Sequence, residues 1–140
     1  MVHAQNMRIG GQDIQRNYQF AGDEPTEQLG TDSAPSPQDY LLGGMAAGMA
    51  FTFVLQVSQR GIQLEALGPV VSGSLDLRGM LGLDATVPVG FDRLAYQFKV
   101  KSEASQAALD EVAHAVRAFP PNFATMTNTV ELLVETVVKH

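Results

Sequence analysis

Apolar residues cover nearly all sides of one long stretch of the chain, residues 37–60. Ser36 is a suitable N-cap for a helix over this stretch, Pro37 suits its first turn and Gly61 suits its end. We therefore expect a central, buried helix. Its first half, residues 43–50, is rich in glycine and alanine, which favours either the close approach of another backbone or a cavity beside the helix.

A second, amphipathic helix is predicted over residues 105–119, followed by Pro120. Strands are predicted at residues 15–21, at 62–78 with an interruption at Gly68 and Pro69, at 91–100 and at 129–138. The order β, long helix, β, β, helix, β predicts an α+β fold with a mostly antiparallel sheet, in a single domain of residues 1–140. The predicted apolar face of the second helix comprises Leu109, Val112, Val116 and Phe119, and that of the strand at 91–100 comprises Leu94, Tyr96, Phe98 and Val100.

Charge and hydropathy limit the partners that we expect. The chain has 140 residues, a formal net charge of −6 and only nine lysines and arginines, so we expect neither nucleic acid nor an anionic membrane as a partner. The apolar run at residues 41–55 is shorter than the ~20 residues that span a bilayer, which favours a buried helix. The start of the chain lacks the pattern of a signal peptide, so we expect a cytoplasmic protein.

The chain contains no cysteine, which excludes disulfides, thiolate metal ligands and cysteine nucleophiles. His3, His114 and His140 form no metal-binding motif, so we expect no metal and no cofactor. Asp110 and His114 are spaced i,i+4 on the second predicted helix. This spacing is more typical of an exposed pair than of a catalytic dyad.

Two segments resemble the OsmC/Ohr family, which includes organic hydroperoxide reductases of the peroxiredoxin-like stress response. The first is SPQDYLLGGMAAGMAFTFVLQVSQRGIQLE, where Ala46-Ala47-Gly48 stands at the family's Ala-Ala-Cys. The second is AFPPNFATMTNTVELLVE, where Phe119-Pro120 stands at the family's Cys-Pro. The resemblance is clearest over residues 36–138.

In that family one cysteine attacks the peroxide and a second one resolves the product as a disulfide, while a Glu and an Arg assist. The resemblance places Gly48 and Phe119 at the two cysteine positions and Gln38 at that of the Glu. Arg8 and Arg16 are both candidates for the Arg. The resemblance therefore implies an OsmC-like fold and an intertwined homodimer whose central helices pack together, without catalytic residues for thiol peroxidase chemistry.

We expect a non-catalytic protein that binds a small apolar or organic ligand. The residues expected at this pocket are Gln38, Met45, Gly48, Met49 and Phe119. One alternative is a structural or regulatory interaction subunit with no small-molecule site. Another is an enzyme of unrelated chemistry that uses Asp110 and His114 or an amino-terminal arginine.

Overall fold

The computed structural model describes the backbone of residues 2–132, and the side chains of residues 10–16 and 18–132. The chain divides into two compact units, Met1–Gly43 and Gly44–His140. Over residues 2–132, each unit has one antiparallel pair of strands. The α+β class and its antiparallel pairing are thus confirmed.

The first unit begins with a β-hairpin of β1 (Val2–Ile9) and β2 (Gln12–Phe20). Gly10 and Gly11 form its turn with φ of 58° and 81°, and glycine adopts such positive values without steric cost. The sequence predicted only residues 15–21 as a strand. The first strand was missed because its alternation of apolar and polar residues is weak.

The helix α1 (Pro37–Gln59) begins and ends almost where the sequence predicted. The Ser36 hydroxyl accepts a hydrogen bond from the Asp39 backbone N–H at 3.2 Å. In return the Asp39 carboxylate accepts from the Ser36 backbone N–H at 2.9 Å and from its hydroxyl at 2.7 Å, which completes a reciprocal cap. Gly61 follows the helix with a φ of 67°, as expected for a C-terminal glycine.

The core of the second unit forms where α1 meets a sheet and a second helix. The sheet pairs β3 (Ala66–Gly73) with β4 (Leu94–Lys101), and the second helix is α3 (Gln106–Val116). The predicted face of β4 packs against this core, as do Leu67 and Val71 of β3, so that part of the pattern is confirmed. The buried members of the core are Met45, Met49, Phe53 and Val57 of α1 and Val112 and Val116 of α3.

The structure corrects the predicted strand at residues 62–78. β3 continues through Gly68 and Pro69, because within residues 2–132 it pairs with β4 alone and its other edge does not need the donor that proline lacks. It ends at Gly73, before the predicted end. Beyond it, the Asp76 carboxylate accepts from the Arg78 backbone N–H at 3.0 Å and caps the short helix α2 (Leu77–Met80).

The carboxyl-terminal part of the second unit also differs from the prediction. Helix α3 ends at Val116, so Phe119 leaves the helical face and its side chain is 64% exposed. A further helix, α4 (Pro121–Thr127), follows directly, with proline in its first turn. Residues 129–132 form no strand, and the rest of the strand predicted at 129–138 lies outside the described residues.

Within the single chain, α1 buries one of its sides and leaves another exposed. Its buried face packs on the core, but the opposite side is open: Phe51 is 67% exposed. By length and composition alone α1 also resembles a membrane-crossing helix, a test that core helices of soluble proteins pass as well. We call the open side the exposed α1 face; it comprises Ala47, Phe51, Val54, Leu55 and Ser58.

Hydrogen bonds to aspartates predict acid sensitivity of the fold. The Arg78 side chain and its backbone N–H hold the pKa of Asp76 at about 2, below its ordinary 3.8. Because the folded pKa lies below the unfolded one, this stabilisation is complete above pH 3.8 and is lost as the pH falls towards 2. Thr31 and Ser33 lower the pKa of Asp23 in the same direction.

We expect Asp76→Asn to lower the free energy of unfolding at about pH 6 and to match the wild type at about pH 2. Urea unfolding at a series of pH values measures both. Asparagine keeps the capping oxygen, so the variant removes mainly the charge. If the free energies of unfolding of variant and wild type differed by the same amount at both pH values, the Asp76 charge would not be the source of the stabilisation.

Candidate functional site

Gly48 lies in the middle of α1, partly buried, beside the first turn of α4. A Cβ built on Gly48 would lie 2.8 Å from the Asn122 Oδ1 and 3.2 Å from its Cγ. One helical turn earlier, a Cβ on Gly44 would lie 3.5 Å from the Asn122 Nδ2. The carboxamide of Asn122 therefore lies in a notch that the two glycines leave on α1, which we call the Gly48 notch.

The methionines on either side of Gly48 belong to the packed core. Met45 is 5% exposed and Met49 is 1% exposed, and both contact the cluster formed with Phe53 and Val57. Their thioethers fill space rather than line an opening. The sequence could not separate these two roles, because methionine suits both a core and a ligand surface.

The remaining predicted pocket residues are not gathered into the notch. Phe119 is largely exposed beyond the end of α3. Gln38 lies in the first turn of α1, within the first unit, and is partly buried. Of the candidate arginines, Arg16 stacks its guanidinium 5.1 Å from the ring centre of Tyr18, and the side chain of Arg8 lies outside the described ones.

Two open cavities of about 510 and 500 Å³ lie along residues 72–95. Asp76 and Thr86, which line the first cavity, are bonded to their neighbours: Asp76 pairs with Arg78 at 2.6 Å, and the Thr86 hydroxyl and N–H lower the pKa of Asp84, which Arg78 also approaches at 3.8 Å. A Cβ on Gly79 would clash with the Pro88 carbonyl oxygen, so α2 packs directly on the backbone of that residue. These contacts indicate a structural role for the carboxylates.

A third cavity, of about 190 Å³, lies where α3 faces β4. Asp110 and His114 both line it, as the i,i+4 spacing allows. They do not form a dyad, because the Asp110 carboxylate accepts from the Gln106 Nε2 at 2.8 Å and no hydrogen bond joins it to His114 within the described side chains. Tyr96, which the sequence pattern assigned to the core face of its strand, and Arg117 also line this cavity. The sequence held a signal for Arg117, because it follows Asp110 by seven residues and so shares its face.

The chemistry open to the Gly48 notch follows from its side chains. Glycine supplies no nucleophile, and a carboxamide is uncharged and offers one acceptor oxygen and two N–H donors. Within the described residues, no protein group donates to or accepts from the Asn122 carboxamide. The notch can thus hydrogen-bond a polar group but has no residue for two-electron reduction of a peroxide.

Comparison with known proteins agrees with this fold. The chain superposes on the OsmC-like protein from Mycoplasma pneumoniae with a TM-score of 0.67 and 22% identity, over 82% of this chain and 77% of that one. It superposes on a putative osmotic stress induced and detoxification response protein from Psychrobacter arcticus with a TM-score of 0.64 and 15% identity, over 89% and 88%. At these identities the likeness concerns the fold alone. No curated protein matches the chain in sequence.

The model of the family described as OsmC-like protein matches residues 30–135, which is most of the chain. The match includes α1, both strands of the second unit and the helices that follow. The chain lacks cysteine altogether. It is therefore a cysteine-less member of the OsmC-like family.

Proposed function

We propose that this protein is a non-catalytic binding protein that holds a small, mainly apolar organic molecule over the Gly48 notch. The observation that carries the proposal is the Asn122 carboxamide beside Gly48, the position that the resemblance assigns to the peroxide-attacking cysteine. A polar group that binds but does not react replaces a nucleophile there. The expected cytoplasmic location and the absence of a cofactor stay predictions.

The surroundings of the notch suit a ligand with an apolar body and one polar end. Ala47 and Phe51 of the exposed α1 face lie within one turn of Gly48 and present apolar surface. Binding sites for small molecules combine largely apolar walls with a few polar groups that fix orientation. Asn122 supplies such a group, so a medium-chain carboxylic acid or alcohol is a suitable ligand class.

A second copy of the chain would cover this surface. The exposed α1 face is an apolar stripe on a helix. Burying it in a dimer would contribute a favourable free energy of roughly 25 cal/mol per Å² of apolar area removed from water. We therefore propose a homodimer in which the α1 helices meet and enclose the ligand.

One observation favours the alternative of an interaction subunit with no small-molecule site. The Asn122 side chain already occupies the space beside Gly48, and Met45 and Met49 leave no opening behind it. If the carboxamide stays in the notch when two copies meet, the exposed α1 face serves as a protein contact only. Direct binding measurements separate these two functions.

The contact between Gly48 and Asn122 predicts a non-additive pair of substitutions. Gly43→Ala should stabilise the fold by up to about 1 kcal/mol, because alanine favours helix and nothing lies within 4 Å of its Cβ. Gly48→Ala should stabilise the fold by about 1 kcal/mol less than Gly43→Ala does, because the Asn122 carboxamide must leave its rotamer. Combining Gly48→Ala with Asn122→Ala should restore the gain.

Urea unfolding of the wild type, Gly48→Ala, Asn122→Ala and their combination measures this coupling as a double-mutant cycle. Gly43→Ala is the matched control for helix propensity. Equal gains from Gly43→Ala and Gly48→Ala would mean that the Asn122 side chain does not occupy the notch.

Ligand binding is tested with straight-chain carboxylic acids and alcohols of about six to fourteen carbons, whose apolar burial scales with length. We expect a saturable rise in melting temperature with at least one of them, because a ligand that binds only the folded state stabilises it. Asn122→Ala should weaken the effect, whereas Gln97→Ala, on the exposed side of β4, should leave it unchanged. No rise with any compound would reject the binding function in favour of the interaction subunit.

A further inference from the structure

The cavity of about 190 Å³ between α3 and β4 has residues distinct from those of the Gly48 notch. Tyr96 of β4 and four residues of α3 and its C-cap line it: Asp110, Ala113, His114 and Arg117. Asp110, His114 and Arg117 recur every three or four residues and so share one helical face. Four polar side chains, those of Tyr96, Asp110, His114 and Arg117, thus line one small opening.

The polar groups of this cavity are not engaged with each other. Within the described side chains, the hydroxyl of Tyr96, the imidazole of His114 and the guanidinium of Arg117 form no hydrogen bond or ion pair. Among the side chains that the structure describes, the Asp110 carboxylate accepts from Gln106 alone, at 2.8 Å. Several hydrogen-bonding positions around the cavity are therefore open to a ligand.

Position and packing explain why these side chains stay at the cavity. Arg117 is the C-cap of α3, where the partial negative charge of the helix end favours a cation. The Tyr96 ring packs edge-on against Phe98 and Phe123, with ring centres 5.9 and 6.4 Å away. Ala113 between the polar groups is small and leaves the opening free.

We propose that this cavity binds a small carboxylate that also carries a hydrogen-bond donor, such as a hydroxy acid or an amino acid. The planar guanidinium of Arg117 matches a carboxylate in a bidentate geometry. Tyr96 and His114 supply further donors to the anion. The Asp110 carboxylate accepts from the ligand's hydroxyl or ammonium group and repels an anion that has no donor.

The size of the cavity limits the ligand. Sites for drug-sized molecules measure roughly 300–1,000 Å³. A cavity of about 190 Å³ instead fits a compound of a few carbon atoms. The class is thus chemically distinct from the longer apolar ligands proposed for the Gly48 notch.

The test is an NMR titration of the full-length, ¹⁵N-labelled protein with glycolate and with acetate, which differ by one hydroxyl. We expect saturable shifts at residue 96 and residues 110–117, with a Kd for glycolate of roughly 1 mM. Acetate should bind about tenfold more weakly, because it leaves Asp110 facing an anion without a donor.

Exposed substitutions separate the roles of the residues without disturbing the core. Arg117→Gln should raise the Kd for glycolate at least about tenfold, since a charge-assisted bidentate contact is lost. Asp110→Asn should remove the preference for glycolate over acetate. Lys99→Gln removes the same charge as Arg117→Gln from an exposed position outside the cavity and should leave the Kd unchanged.

Three results would overturn the proposal. The first is the absence of saturation by glycolate at about 100 mM, two orders of magnitude above the expected Kd. The second is an unchanged Kd in Arg117→Gln. The third is a rise in the Kd for glycolate in Lys99→Gln that equals the rise in Arg117→Gln, which would indicate general attraction of anions to positive charge on the chain.

Discussion

Helix α1 is apolar around its circumference, but the second unit buries only one of its sides. Met49 and Phe53 on that side pack against Val112 and Val116 of α3, and the sheet of β3 and β4 completes the core. This packing stabilises the second unit, because α1, α3 and the sheet each bury an apolar face in the same core. It also leaves the opposite side of α1 in water, which is unfavourable for so apolar a surface. The proposed homodimer would bury this exposed apolar side.

The same helix carries the residue that the resemblance places at the family's peroxide-attacking cysteine. Gly48 offers no side chain there, and the carboxamide of Asn122 lies in the space that a side chain would need. The fold of the OsmC-like family is kept in a chain without cysteine, and function resides in a site rather than in a fold. The proposed binding role rests on an amide next to exposed apolar surface.

Sequence patterns predicted the elements whose signals are local. The bounds of α1 follow from Ser36 and Gly61, and the buried face of β4 follows from strict alternation. The sequence predicted an interruption at Gly68 and Pro69, but β3 continues through them, because a strand that pairs on one side only among the described residues tolerates proline. That pairing is visible only in the tertiary structure. For the same reason the sequence could name Gly48 as a candidate but could not place Asn122 beside it. Such contacts join residues that are far apart along the chain.

The mass of the protein in solution tests the central claim most directly, namely that a second copy covers the exposed α1 face. Sedimentation equilibrium should give twice the 15.0 kDa of one chain for the wild type, and a single chain for Phe51→Glu. Leu83→Glu places the same charge at a 72% exposed leucine outside α1 and should remain a dimer. A wild type that sediments as a single chain, or a Phe51→Glu variant that stays dimeric, would contradict the account.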